Sequence, residues 1–202
     1  MKKIIIGNFK MNPSSLKEAN HLLKAYDIKT NYKVVLCPPF TYLKKGKNYF
    51  LGAQNCFYKE AGAYTGEVSP KMLKDLGCTH VILGHSERKE KREIVKQKVE
   101  ACLKNDLIPI LCISKNEQLK GINNKNIIIA YEPLSAIGTG KPYSLKQIQK
   151  SYQSIKEVLK QNKVLYGGSV DSKNAKDILN ITDGILVGGA SINKSEFLKI
   201  IK

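Results

Sequence analysis

Three chargeable side chains stand just after apolar runs, where they could act on a substrate. Glu132 and His85 each follow a short β-branched run, and Lys10 follows the apolar run near the start of the chain. A carboxylate in drier surroundings than water is a plausible base for a proton on a carbon beside a carbonyl. A histidine at the start of a helix is expected to stay neutral and donate a hydrogen bond, because the helix N-terminus disfavours a positive imidazole. These residues indicate acid–base chemistry.

Lys10 permits two different chemistries. Its ammonium group could stabilise negative charge that develops on a substrate oxygen, and its amine could form a Schiff base with a carbonyl. We expect Glu87 to pair with Lys10 and hold it, and Asn8 to hydrogen-bond a substrate oxygen. Borohydride trapping in the presence of substrate separates the two chemistries, because only a Schiff base is reduced to a stable adduct.

Short β-branched runs alternate with amphipathic stretches of helical spacing along the whole chain. The eight predicted strands are Lys3 to Gly7, Lys33 to Cys37, Phe50 to Gln54, His80 to Gly84, Ile108 to Cys112, Asn126 to Tyr131, Lys163 to Gly167 and Gly184 to Val187. The clearest predicted helices are Ser14 to Tyr26, Lys91 to Lys104, Ser144 to Gln161, Ser172 to Asn180 and Ser195 to Ile201. Most strands are continuous apolar runs, which is typical of parallel strands.

Eight strand–helix units in 202 residues predict an α/β fold of the (β/α)₈ barrel type, with residues 1–202 forming one domain. In such a barrel the side chains that follow the strands meet at one face, which would bring Lys10, His85 and Glu132 together. An open doubly wound sheet is the alternative. It would place a glycine-rich turn after the first strand, and Gly7 to Asn12 has none.

The chain is short for such a barrel, since about 250 residues are typical. The shortening is localised, because Phe40 to Lys47 and Ser114 to Gly121 leave room for barely two turns each. We therefore expect shortened helices 2 and 5, and we expect strands 2 and 5 to be exposed beneath them.

The charge balance argues against a nucleic-acid partner. Lys+Arg 34 against Asp+Glu 17 leaves a net charge of +17, but Arg88 and Arg92 are the only arginines and the lysines are spread through almost every segment. Arginine is the residue that reads bases and stacks on them. We expect a solvated, lysine-rich surface whose positive field helps to gather an anionic substrate.

Neither a membrane nor a metal partner is indicated. No apolar stretch approaches the roughly 18 residues that a membrane span requires, so a cytoplasmic location is expected. The five cysteines are odd in number and include no Cys-x-x-Cys pair, and the three histidines are far apart. Reduced structural thiols are favoured over disulfides, and no metal site is predicted.

Glycines follow the last two predicted strands, in Gly167-Gly168-Ser169 and Gly188-Gly189-Ala190-Ser191. Glycine lets the backbone approach a ligand closely, and phosphate sites of barrels often form from the loops after strands 7 and 8. We therefore expect a phosphate group to be held by backbone N–H groups, with the hydroxyl of Ser169 assisting. The residues assigned to this role are Gly138, Ser169, Gly188 and Gly189.

Eight motifs, in order from the first strand to the last, resemble the triosephosphate isomerase family. They are Asn8-Phe9-Lys10-Met11-Asn12, Ala53-Gln54-Asn55-Cys56, Gly62-Ala63-Tyr64-Thr65-Gly66-Glu67, Gly84-His85-Ser86-Glu87-Arg88, Ala130-Tyr131-Glu132-Pro133, Ala136-Ile137-Gly138-Thr139-Gly140, Tyr166-Gly167-Gly168-Ser169 and Val187-Gly188-Gly189-Ala190-Ser191. The resemblance implies interconversion of dihydroxyacetone phosphate and D-glyceraldehyde 3-phosphate through an enediol, in glycolysis and gluconeogenesis, with no cofactor. It implies Glu132 as the base and His85 as a neutral partner.

The resemblance also implies a lid and a homodimer. Pro133 to Lys141 resembles a mobile lid that closes over the substrate and excludes water. Gly62 to Glu67 resembles a loop that reaches into a partner subunit, with Thr65 at its tip, and Glu67 is expected to pair with Arg88.

Other functions remain open at this point. Among enzymes, another phosphate-binding barrel isomerase or a Schiff-base aldolase would use the same residue types. Outside enzymes, a sugar-phosphate-binding or nucleic-acid-binding protein that has lost catalysis is the alternative. Activity with triose phosphates separates the first group from the second, and salt-sensitive binding to random DNA would favour the last.

Overall fold

The computed structural model describes residues 2–136 and 142–202. Its strands form a closed parallel barrel in the order β1-β2-β3-β4-β5-β6-β7-β8, which confirms the predicted (β/α)₈ fold. The strands are β1 (Ile4–Asn8), β2 (Lys33–Cys37), β3 (Phe50–Ala53), β4 (His80–Leu83), β5 (Ile108–Ile113), β6 (Ile128–Tyr131), β7 (Val164–Tyr166) and β8 (Gly184–Val187). Each lies within two residues of its predicted bounds.

Helices and short 3₁₀ turns connect the strands. In the described ranges the helices are α1 (Leu16–Tyr26), α2 (Pro70–Asp75), α3 (Arg92–Lys104), α4 (Leu145–Val158), α5 (Ala175–Ile181) and α6 (Lys194–Ile201). The 3₁₀ turns are Phe40–Tyr42, Ser86–Arg88, Asn116–Leu119, Leu134–Ala136 and Gly189–Ile192. None of the described helices is both long and apolar enough to cross a membrane.

Helix α2 was not predicted, although its start carries a local signal. Ser69 caps the helix, because its hydroxyl accepts a hydrogen bond from the backbone N–H of Met72 at 3.2 Å. Pro70 follows as the first helical residue, where its missing N–H costs nothing. The helix has only six residues, too few for a periodic pattern to be recognisable.

Pairing of the first strand with the last closes the barrel. Ile4 of β1 is in register with Lys33 of β2 on one side and with Gly184 of β8 on the other. A Cβ at Gly184 would lie 2.1 Å from the carbonyl oxygen of Ile4, so the closing strand can approach β1 only because this residue is glycine.

The continuous apolar character of the strands follows from the presence of two cores. Ile4 and Ile6 point into the inner core of the barrel, and Ile5 points into the outer core between the strands and the helices. Because successive side chains point to opposite faces of a strand, a strand buried on both faces has no polar alternation. Both cores together hold the strand ends, and with them the site, in place.

The two short crossovers are as predicted, but the strands beneath them are covered. Phe40–Tyr42 follows β2 and Asn116–Leu119 follows β5. Each is a single 3₁₀ turn at the place where a full barrel would have its second or fifth helix. The expected exposure of strands 2 and 5 is wrong, because all residues of β2 and β5 except the first of each are buried. Apolar side chains from the short loops replace the helices: Tyr49 and Leu119 are 8% and 2% exposed and belong to the outer core.

Candidate active site

The predicted catalytic side chains all lie at the carboxyl ends of the strands. Asn8 is the last residue of β1, and Lys10 follows it by two positions. His85 follows β4 after a single glycine, and Glu132 comes directly after β6. The backbone N–H of Glu132 donates to the carbonyl of Ile113 at 2.8 Å, so Glu132 continues the pairing of β6 with β5. The barrel thus fixes the backbone of each group.

His85 is held as a neutral imidazole. It precedes the 3₁₀ turn Ser86–Arg88, and its Nδ1 accepts a hydrogen bond from the backbone N–H of Glu87 at 3.3 Å. An accepting Nδ1 carries no proton, so the ring proton is on Nε2. Burial lowers the pKa of His85, and the charge of Lys10 lowers it further, against an opposing effect of Glu87. The ring therefore presents an N–H donor at physiological pH.

That donor points toward Glu132. The distance from Nε2 of His85 to Oε2 of Glu132 is 3.6 Å, and the glutamate side chain is 3% exposed. Oε2 has no hydrogen-bond partner in the described part of the chain. A buried carboxylate oxygen without a partner costs folding free energy, and such a cost is typical of a functional site.

Burial makes Glu132 an unusually strong base for a carboxylate. Desolvation raises its pKa to about 8, and Glu87 adds to the rise, whereas the charge of Lys10 and a hydrogen bond with the thiol of Cys112 oppose it. A base whose pKa lies near the working pH combines a deprotonated fraction with a strong drive to take a proton. The position also depends on Gly167, where a Cβ would lie 2.8 Å from Cγ of Glu132.

Lys10 is fixed by contacts to its backbone and to its side chain. Its φ of +54° is in the left-handed region, which is unfavourable for a residue with a side chain. The N–H of Lys10 donates to Oδ1 of Asn8 at 3.1 Å, and Nε2 of Gln54 donates to its carbonyl at 2.7 Å. The expected ion pair is present, with Nζ of Lys10 2.5 Å from Oε1 of Glu87.

Sequence reasoning missed two residues that position this site. Gln54 stood in one of the recognised motifs but was assigned no role; its amide also donates to the carbonyl of Cys37 at 2.8 Å and so ties Lys10 to β2. Cys112 was taken as a plain structural thiol, but it contacts Glu132 from β5. Their positions after strand 3 and at the end of strand 5 are the signal that would have suggested a role.

The glycine loops after β7 and β8 border the same cleft. Ser169 has a φ of +50°, and its hydroxyl donates to the carbonyl of Ala136 at 2.5 Å, so it is not directed to a ligand here. A Cβ at Gly188 would lie 3.3 Å from Cε of Lys10, and nothing lies within 4 Å of a Cβ position at Gly189. Gly138, the other predicted phosphate contact, lies outside the described residues.

The predicted dimer loop is exposed. Thr65 and Glu67 lie in a run of exposed residues. The expected pair of Glu67 with Arg88 belongs to a loop that is predicted to contact a partner subunit, so it stays a prediction. Within the described chain Arg88 pairs with Glu90, at 3.1 Å between Nε and Oε1. The physical reason is local: Lys89 has a φ of +49°, which turns the chain so that Glu90 returns to Arg88.

Two tyrosines order the segment that follows the predicted lid. The backbone N–H of Tyr143 donates to the hydroxyl of Tyr166 at 3.0 Å, and the hydroxyl of Tyr143 is 2.9 Å from that of Ser135. Most of the predicted lid, residues 137–141, lies outside the described residues. Within them, no group of three or more His, Cys, Asp or Glu residues could hold a metal ion.

The fold and these groups together define a class of protein, a (β/α)₈-barrel enzyme with an acid–base site at the carboxyl ends of its strands. The family model for triosephosphate isomerase matches residues 3–202. The chain is 41% identical to the triosephosphate isomerase of Finegoldia magna, over 99% of this chain and 98% of that one. It is 40% identical to the triosephosphate isomerase of Coprinopsis cinerea, over 96% of this chain and 95% of that one. The chain belongs to the triosephosphate isomerase family.

A third relative bears on the shortness of the chain. The triosephosphate isomerase of Wolbachia pipientis wMel is 39% identical, over 100% of this chain and 94% of its own length. The alignment spans 227 positions, although this chain has 202 residues. The difference therefore lies in internal gaps, in keeping with crossovers that are reduced to single turns.

Proposed function

We propose that this chain interconverts dihydroxyacetone phosphate and D-glyceraldehyde 3-phosphate, with Glu132 as the base that moves the proton between adjacent carbons. One observation carries the assignment: the buried Glu132 carboxylate, with Oε2 unpaired in the described structure, lies 3.6 Å from Nε2 of His85. A base and an N–H donor at this spacing can act on neighbouring atoms of one small substrate. Membership of the family supports the same reaction.

In the forward direction, Glu132 takes a proton from the carbon beside the carbonyl, and the electron pair of that C–H bond forms the enediolate. The Nε2–H of His85 donates to the carbonyl oxygen, and the charge of Lys10 stabilises the negative oxygen. The carboxylic acid of Glu132 then returns the proton to the neighbouring carbon. The hydroxyl proton passes between the two oxygens through His85, so that every group ends in its starting form.

Six residues are proposed to complete the site. Asn8 hydrogen-bonds a substrate oxygen, and Glu87 keeps the ammonium group of Lys10 in place. The backbone N–H groups of Gly188 and Gly189 bind the phosphate, and the open space at Gly189 supports this placement. Ser169 and Gly138 are proposed to join them. For Ser169 this requires its hydroxyl to leave the carbonyl of Ala136 when substrate binds.

Direct assay tests this function. With either triose phosphate as substrate, the purified protein should produce the other one. In D₂O the product should carry deuterium on the carbon that receives the proton, because the acidic proton of Glu132 exchanges with solvent. The Glu132→Gln variant should lose both signals while retaining its fold. A protein that binds the substrate but exchanges no proton would instead be a sugar-phosphate-binding protein.

We also propose a homodimer formed through residues 62–67, with residues 1–202 acting as one catalytic domain; a cytoplasmic location stays a prediction. Residues 61–67 form a continuous exposed run, so this loop is accessible to a partner subunit. Sedimentation equilibrium should give twice the chain mass. In the Thr65→Glu variant the measured mass should fall toward that of a monomer. A monomeric wild type, or a dimer that Thr65→Glu and Tyr64→Ser leave intact, would contradict the proposed interface.

A further inference from the structure

Two of the five cysteines lie against each other outside the catalytic cleft. Sγ of Cys56 is 3.4 Å from Sγ of Cys102, and the two thiols share a hydrogen bond. Cys56 comes three positions after β3, and Cys102 lies in the last turn of α3. Both are free thiols and almost fully buried, at 1% and 0% exposed. The contact joins two elements that are 46 residues apart in the chain.

A second contact holds the same two elements in register. Asn55 precedes Cys56 directly, and Lys98 precedes Cys102 by four residues, which places it on the same face of α3. Nζ of Lys98 donates to Oδ1 of Asn55 at 2.9 Å, and it also donates to the carboxylate of Glu90. Two consecutive residues after β3 thus meet two stacked residues of the helix. This arrangement fixes the position in which the two sulfurs face each other.

The sulfurs are close to bonding distance but are not bonded. A disulfide bond is about 2.05 Å long, so sulfurs that are 3.4 Å apart must approach by about 1.4 Å. Small rotations of both side chains about their Cα–Cβ bonds can supply this movement without a shift of either element. No other two sulfurs of the described chain are hydrogen-bonded to each other. The fold therefore prepares one particular pairing.

Burial and charge act in opposite directions on the reactivity of this pair. The thiolate is the reactive form of cysteine. The hydrogen bond with Cys56 and burial raise the pKa of Cys102, whereas the charge of Lys98 opposes the rise. The exposed run of residues 59–67 begins three positions after Cys56, so local opening of this loop would admit a small oxidant. We therefore expect oxidation that is slow but confined to one pair.

We propose that Cys56 and Cys102 form a redox pair, which hydrogen peroxide converts into an intrachain disulfide. One sulfur attacks the peroxide, the O–O bond breaks, and the products are a sulfenic acid and water. The second thiol then attacks the sulfenic sulfur, and the S–S bond forms with release of another water. The sulfurs give up two electrons and two protons, which the peroxide takes up. A dithiol reductant reverses the reaction by thiol–disulfide exchange.

The disulfide would tie the segment that leads into residues 57–67 to helix α3. A cross-link across 46 residues restricts the unfolded chain and so favours the folded state. The oxidised protein should therefore unfold at a higher temperature than the reduced protein. Hydrogen exchange in residues 57–67 should become slower, because the start of the loop is then covalently anchored.

Thiol counting on the folded protein tests the proposal. After treatment with hydrogen peroxide, alkylation in denaturant should find three free thiols in place of five. Peptide mass mapping should find the peptides of Cys56 and Cys102 joined within one chain, and dithiothreitol should restore all the thiols. Met11, 93% exposed, is also open to peroxide, but its sulfoxide does not change the thiol count.

Substitutions locate the bond. Cys56→Ser and Cys102→Ser should each abolish the cross-link and the rise in unfolding temperature. The matched variant Cys78→Ser also removes a buried thiol, but it should form the cross-link to the same extent as the wild type. The peptide map of the wild type stands on its own if one of these variants fails to fold.

Three results would overturn the proposal. Five free thiols after oxidation of the folded protein would show that burial protects the pair. Joined peptides of other cysteines, or a bond between Cys56 and Cys102 that forms only in denaturant, would show that the fold does not direct the pairing. A lower unfolding temperature after oxidation would show that the bond distorts the fold. None of these measurements uses isomerase activity, so their failure is distinct from a failure of the proposed function.

Discussion

Shortening Glu132 to aspartate should lower kcat by about 10²-fold or more while changing KM little. The change keeps the carboxylate but withdraws it by one methylene, and a displacement of about 1 Å at a reacting group costs about this factor. KM is expected to hold because the phosphate is proposed to bind elsewhere, at the loops after β7 and β8. Steady-state kinetics in both directions, measured on enzyme of verified fold, give the two parameters separately.

The matched control is Glu157→Asp, the same shortening at an exposed glutamate of α4. It should leave kcat within experimental error of the wild type. Removing the base with Glu132→Gln should cost more than moving it, up to about 10⁴-fold. If Glu132→Asp retained full activity, the carboxylate could not be the group that takes the proton, and the proposed mechanism would be wrong.

The pH dependence provides a second readout of the same residue. Burial raises the pKa of Glu132 to about 8, and only its carboxylate form accepts a proton. The value of kcat/KM should therefore rise with pH and level off above about 8, and at lower pH it should fall about tenfold for each unit. Replacing Cys112 by alanine removes a contact that favours the charged form, so the profile should move to higher pH.

The sequence was sufficient to predict the fold and the place of the candidate catalytic residues at the ends of the strands. Continuous apolar runs such as Ile4-Ile5-Ile6 reveal strands buried on both faces, and their number and spacing lead to a barrel. Once the barrel is predicted, a residue that follows a strand is known to face the site. Glu132 and His85 were placed at this face in this way, because the rule depends only on chain order and not on side-chain packing.

What the sequence could not supply was the direction of individual side chains. The pair of Arg88 with Glu90 was not predicted, since the left-handed turn at Lys89 that brings them together depends on tertiary context that residue types do not reveal. Burial is a second example. Strands 2 and 5 were expected to be exposed under shortened crossovers, but loop side chains such as Leu119 fold back onto the core. A loop covers apolar surface whenever its own apolar residues can reach it.

The small connecting helix Pro70–Asp75 shows where pattern reasoning reaches its limit. Six residues make fewer than two turns, so no apolar stripe can repeat. The contact of Gln54 with the carbonyl of Lys10 was missed for a related reason, because an amide that holds a backbone group leaves no periodic trace in the sequence. Such positioning contacts become visible only in coordinates.

Removing the charge of Lys10 with Lys10→Met should lower kcat/KM by about 10²–10³-fold. Methionine has a similar length, so the cleft keeps its shape while the oxyanion loses its positive partner. The backbone strain at φ +54° is the same for either side chain, and Glu87, which loses its partner, is half-exposed. Thermal stability should therefore change little. The loss of kcat/KM can then be attributed to weaker stabilisation of the oxyanion and not to unfolding. Kinetics and thermal unfolding of the same preparation check both statements.

Glu87→Gln is the variant that isolates the role of the charge. It removes the partner from the ion pair of 2.5 Å but leaves the ammonium group of Lys10 in the cleft, so kcat/KM should fall by about tenfold at most. An equal loss in both variants would mean that the ion pair, and not the charge near the substrate, is what catalysis requires. Lys10→Arg retains a positive charge but cannot form a Schiff base. Partial activity in that variant, together with the absence of a borohydride-trapped adduct in the wild type, would exclude the aldolase-like alternative for Lys10.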